Sequence, residues 1–237
     1  MDQLHLLLAI FEFAVLLFSL SLHEAAHGWM ANRLGDPTAR MLGRVTLNPV
    51  KHIDPVGTIL IPLVMLFLPG YGRFLIGWAK PTPVTTRNFK NVTRDDILTT
   101  VAGPVSNVMA ALVATLVLLI ISKVSPVGEG IVRTLAYTNG YGGMGTLSAA
   151  SPILYPLALL FYLVMTLNLI LAAFNLLPLP PLDGSHVFRH MLPFRALRIY
   201  DSLGILSLIL ILFVGARVVG MIVSPALGLI NAILLTF

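Results

Sequence analysis

Long apolar runs alternate along this chain with short polar segments that carry most of its charge, and the runs at residues 4–31, 97–121, 152–177 and 202–223 are the strongest. A helix rises 1.5 Å per residue, so about 20 apolar residues cross a hydrocarbon core about 30 Å thick. Each run therefore predicts a membrane-spanning helix, with residues 226–237 as an apolar tail. Residues 57–68 are apolar but short, and Pro62 interrupts them, which fits a re-entrant segment better than a span. Between the first run and that segment, Gly35-Asp36-Pro37 signals a turn, and residues 38–47 show mixed β character that predicts a small strand or hairpin. Residues 137–145 are Gly-rich and predict a flexible loop. The expected fold is an all-α integral membrane protein: one multi-span helical bundle over residues 1–237, with a re-entrant segment and a small β element after the first span.

Composition supports the same class. With 57% hydrophobic and 11% charged residues, and a mean hydropathy of +0.91, the chain falls outside ordinary soluble domains, which carry about a quarter charged residues. The net charge of +5 comes from Lys and Arg in the short segments between apolar runs, as orientation signals do, so nucleic acid is not an expected partner. The basic segments around Arg33 to Lys51, Arg73 to Arg94 and Arg189 to Arg198 are expected on one side, the cytoplasmic side of a cell membrane. Met1-Asp2-Gln3 lacks the positive start of a signal peptide, so the first run is expected to stay as a helix. The absence of cysteine rules out a thiolate site, and any metal must rest on His and carboxylate ligands.

Candidate chemistry begins at His23-Glu24-Ala25-Ala26-His27. Residues four apart share one helix face, so His23 and His27 form a two-pronged metal chelate. Glu24 projects beside it, where its carboxylate can deprotonate a water at the metal instead of binding the ion. Three ionisable side chains inside an apolar helix are costly without a function. The chelate lacks a third ligand. At the end of the third run, Asn175-Leu176-Leu177-Pro178-Leu179-Pro180-Pro181-Leu182-Asp183-Gly184 breaks the helix with three prolines, which membrane proteins tolerate where chain lines a cavity or is buried in protein. Asp183 is the best-placed carboxylate, with Gly184 letting the backbone fold tightly beside it. His186 and His190 sit in a basic segment and are read as interfacial. Asn107, within the second run, needs a polar partner, as an interhelical hydrogen bond or as a substrate contact.

These motifs resemble the site-2 protease family of intramembrane metalloproteases. The similarity rests on the two stretches above and extends to Leu47-Asn48-Pro49, His52-Ile53-Asp54-Pro55, Gly77-Trp78-Ala79-Lys80-Pro81 and Ala102-Gly103-Pro104 with Asn107. It implies a three-helix catalytic core and a zinc ion held by His23, His27 and Asp183, with Glu24 as general base. It also implies hydrolysis of a transmembrane protein substrate within or near the lipid bilayer, with Asn175 and Pro178 close to the active site and contacting substrate. These residues are expected to hold no PDZ or CBS domain, a pattern similar to the compact branch of the family. A membrane metal-ion transporter would also place His and Asp within spans, and a catalytically inactive membrane binding protein is the other alternative.

Overall fold

The computed structural model describes residues 3–67, 77–140 and 151–236, and its regular structure is all helix, with no strand among them. Helix α1, Gln3–Arg33, is followed by the single turn α2, Thr38–Met41, and by α3, Ile61–Phe67, which continues a π turn at Pro55–Leu60. Then come α4, Val92–Val124, α5, Pro126–Thr138, and α6, Leu154–Asn175. The chain ends with α7, Asp183–Arg189, α8, Phe194–Asp201, α9, Gly204–Leu210, a π turn at Ile211–Gly215, and α10, Ala216–Thr236.

Among the described residues, four helices are long and apolar enough to cross a membrane: Leu8–Arg33, Val92–Val124, Leu154–Asn175 and Phe213–Thr236. Helix α4 packs along both α1 and α6, and α1 also touches α6, so these three form the core. Leu16 and Leu20 of α1, Leu118 of α4, Ile131 of α5 and Tyr162 and Met165 of α6 are buried together in it. Helix α10 lies against α5 and α6 at the edge, and α7 rests on α4.

Local chemistry explains where these helices begin and end. Helix α4 starts at Val92, five residues before its apolar run, because Asn91 and Asp95 cap it reciprocally: Asn91 Oδ1 accepts from Arg94 N at 3.1 Å, and Asp95 Oδ2 from Asn91 N at 3.0 Å. At the end of α1, Gly35 takes a positive φ of 112°, so that Leu34 and Asp36 can donate back to the carbonyls of Met30 and Ala31.

Four expectations need correction. Residues 38–47 form α2 and turns rather than a β element: Met41 and Leu42 donate back to Pro37 and Thr38, and no strand lies alongside among the described residues to pair with. Residues 57–67 form a continuous helical stretch rather than a re-entrant limb; Asp54 Oδ1 accepts from Val56 and Gly57 and starts it. The apolar tail expected from residue 226 is not separate from the last run: the helix continues without a break from Gly204 through the π turn to Thr236, while Tyr200 donates to Pro178 O at 2.9 Å and ties α8 beside the break after α6. The predicted loop at 137–145 is helix α5 up to Thr138, and residues 141–150 lie outside the described residues.

A strap of extended chain at residues 78–85 crosses the end of α1. Pro81 and Pro83 hold it extended and supply no amide donors. On one side Lys80 N donates to His52 O and Thr58 Oγ1 donates to Trp78 O. On the other, buried Asp36 accepts from Thr85 N, Asn88 Nδ2 and Thr38 Oγ1. Burial opposes ionisation of Asp36, but these hydrogen bonds outweigh it and hold the carboxyl below its usual value.

Candidate metal centre

His23 and His27 stand one turn apart on α1, with their rings edge to face and centroids 4.6 Å apart. Both are buried, at 4% and 8% exposure. Across from them α7 delivers Asp183, because the proline-broken segment after α6 turns back sharply. Gly184 permits the turn: a Cβ there would collide with the carbonyl oxygens of Leu176 and Leu177.

The donor atoms form a small triangle. His23 Nε2 lies 3.0 Å from His27 Nε2 and 3.0 Å from Asp183 Oδ2, which is 3.4 Å from His27 Nε2. Ligands held tetrahedrally at zinc distances of about 2.0 Å are roughly 3.3 Å from one another, so the edges fit that ion. The outer ring nitrogens decide the tautomers. His27 Nδ1 is 2.8 Å from Thr99 O, which can only accept, so Nδ1 carries the proton and Nε2 offers a lone pair. His23 Nδ1 is 2.6 Å from Asn107 Oδ1, with the same consequence. Both Nε2 lone pairs therefore face Asp183 Oδ2, a buried oxygen without a hydrogen-bond donor of its own. Three acceptors converging at this range repel one another unless a cation lies between them, and two imidazoles with a carboxylate suit zinc. Among the described residues, His23, His27 and Asp183 are the one group of this kind.

Glu24 sits next to His23, and its carboxylate is fixed by the strap: Oε2 accepts from Thr82 N at 2.7 Å, while Thr82 Oγ1 donates to Glu24 O at 3.0 Å. Between two prolines, the Thr82 amide is the single N–H of its tripeptide, and it is spent on Glu24. Gly103 of α4 lets the helices meet at the ligands. A Cβ there would fall inside contact distance of His27 Nε2 and of the Cε1 atoms of both histidines. Gly103→Ala should therefore push both rings aside and weaken zinc binding by about 10- to 100-fold, although alanine favours the helix by about 1 kcal/mol. Zinc titration together with thermal unfolding checks this, and wild-type affinity in the variant would contradict it.

The structure thus brings together His23, Glu24, His27 and Asp183 as the sequence anticipates. Asn107 is fully buried, its amide engaged by His23, Asn168 and Ser19. That is interhelical bonding, the first of the two readings open to Asn107. Asn175 donates to Leu171 O within its own helix, and exposed Pro178 accepts from Tyr200; neither bonds to the triangle. His190 Nε2 pairs with Asp96 Oδ2 at 2.8 Å, with His186 Nδ1 3.9 Å from the same oxygen. Sequence reasoning missed Thr82, Thr99 and Asn168. Thr99 acts through its carbonyl and Thr82 orients the Glu24 carboxylate through its amide, and no residue letter reports either. Asn168 left a signal, a lone amide in an apolar span.

The model of peptidase family M50 matches residues 11–214. YwhC of Bacillus subtilis (strain 168), provisionally named a zinc metalloprotease, is 38% identical over 178 residues, which is 75% of this chain and 67% of that protein. Rip2 of Mycolicibacterium smegmatis, also provisionally named a zinc metalloprotease, is 33% identical over 95 residues, covering 40% of this chain and 34% of the relative. No solved structure matches the chain.

Proposed function

This chain belongs to peptidase family M50, the family of the site-2 proteases, and on that premise we propose that it hydrolyses peptide bonds of transmembrane proteins within or near the bilayer, with Glu24 as general base beside zinc held by His23, His27 and Asp183. The observation that carries this reading is the buried acceptor triangle with a carboxylate one residue away, which is what peptide hydrolysis requires and ion passage does not. Zinc, when bound, supplies Lewis acidity that lowers the pKa of water to about 7 and polarises a carbonyl. Glu24 takes the water's proton on the carboxylate that the Thr82 amide orients, then passes it to the leaving amine. A helical substrate hides its peptide bonds in intrahelical hydrogen bonds and has to unwind locally before it can react.

Two features favour a membrane-embedded substrate. Both histidine ligands lie on α1, which is long and apolar enough to cross the bilayer, and an apolar groove of about 790 Å³ runs beside them, lined by Leu22, Ala26 and Trp29 of α1 and Ala102, Val105 and Met109 of α4. The purified protein in lipid vesicles should cut a single-span reporter at a position within or next to its apolar segment, as mapped by mass spectrometry. Cleavage confined to soluble loops would contradict the reading.

We place the triangle near the cytoplasmic face of a cell membrane. The C-terminal end of α1, the strap, the start of α4 and α7 all meet at the end of the bundle that carries Arg33, Arg40, Arg44, Lys80, Arg94 and Arg189, where the positive-inside rule puts the cytoplasm. Cysteines introduced at positions 45 and 88 should label from the same, cytoplasmic side; labelling from opposite sides would refute this placement.

A further inference from the structure

The two histidine ligands are held differently. His27 donates to a backbone carbonyl, which has one possible role, whereas His23 faces a side-chain amide, which presents an oxygen or an N–H depending on which way it is turned. Something has to orient Asn107, and the bonds that do so lead to α6, in the middle of which Asn168 is completely buried.

Each bond in the series determines the next. The carbonyl of Val164 only accepts, so Asn168 turns Nδ2 toward it, at 2.8 Å. The same Nδ2 donates to Ser19 Oγ at 2.8 Å. Asn168 Oδ1 then faces Asn107 and has to accept, and it does so from Nδ2 at 2.7 Å. Ser19 O, a second obligate acceptor, lies 3.4 Å from the same Nδ2. Asn107 Oδ1 is thereby left toward His23 Nδ1, which keeps its proton there and its Nε2 lone pair toward His27 and Asp183. A flipped Asn107 would set its oxygen against that of Asn168. It would also present N–H to His23 Nδ1, forcing the other tautomer, with a proton on Nε2 pointing into the triangle.

We infer that Asn168 is a positioning residue that fixes the tautomer of His23 through Asn107, so that a helix contributing no ligand sets the metal affinity of the site. The inference rests on the zinc reading above and goes beyond it by assigning a role to α6.

Removing the amide tests this without any protease assay. In Asn168→Leu, of similar size but without polar atoms, zinc affinity should fall by about 10- to 100-fold, the usual effect of losing an outer partner of a histidine ligand. In an Asn107→Asp background the same substitution should cost about twofold or less, as for residues that do not interact, because a carboxylate presents oxygen to His23 whichever way it turns. Asn168→Asp keeps an acceptor for Asn107 and, as the neutral acid, an O–H donor for Val164 O, so it should bind zinc within a few-fold of wild type, which decides the matter alone if the leucine protein does not fold. Affinities are read by chelator competition on purified full-length protein. An undiminished affinity in Asn168→Leu, an equal loss in both backgrounds, or an Asn168→Asp protein at least tenfold weaker than wild type would each overturn the relay. A wild type that binds no zinc would instead sink the metal centre itself.

Discussion

Asp183→Ala is expected to leave the protein nearly free of zinc and without measurable proteolysis. The substitution removes one of three donors from a site whose other two come from a single helix turn, and two neutral imidazoles retain zinc far more weakly than the set completed by an anionic oxygen. The loss of charge matters as much as the loss of a bond. Asp183 is the anionic member of the ligand set, and in a buried site its charge directly offsets the ion's. Helix α7 should keep its place, since its contacts with α4 and the turn at Gly184 do not depend on the carboxylate. Metal analysis after gel filtration should read about one zinc per wild-type chain and close to none in the variant, both eluting as folded protein. An Asp183→Ala protein that retains a full equivalent of zinc would remove Asp183 from the ligand set.

The parts of this site that the sequence made legible are those in which chemistry demands particular side chains at particular spacing. His23, Glu24 and His27 fall within one helical turn, and a metal chelate with a neighbouring base leaves little choice of letters. Asp183 was legible by a different route, as a carboxylate in a proline-broken stretch at membrane depth that would be costly without a purpose. The core helices were legible because a bilayer requires about 20 apolar residues per crossing and tolerates few charges.

What stayed hidden depends on partners that a linear pattern cannot supply. A β-like stretch becomes a strand when another strand lies beside it, and residues 38–47 have none among the described residues, so one turn of helix after Pro37 was the better use of their backbone. From 202 onward the chain is apolar almost to its end, and hydropathy alone draws no boundary there. The structure runs it as one helical stretch from Gly204 to Thr236. The orientation of Glu24 by the Thr82 amide and of His27 by the Thr99 carbonyl belongs to backbone atoms common to every residue. Asn107 was legible as an amide in need of a partner, but its complete burial and the identity of its partners came from the packing of α1, α4 and α6.

Glu24→Gln separates hydrolysis from mere metal binding. Glutamine matches glutamate in size, and its Oε1 can still accept from Thr82 N, so the strap and the helix should stay as they are. The zinc donors are untouched. What is lost is the capacity to take a proton from water and hand it to the leaving amine. General-base contributions are about 100- to 10,000-fold, and a residue serving both transfers belongs toward the upper end. A protein that only carried or stored the metal through His23, His27 and Asp183 would be little affected. The decisive measurement is therefore zinc content and initial cleavage rate of a membrane-embedded reporter, taken together on wild type and Glu24→Gln purified side by side. Equal zinc with cleavage reduced by about a thousandfold or more is the predicted result, and comparable cleavage by the two proteins would contradict the zinc protease mechanism.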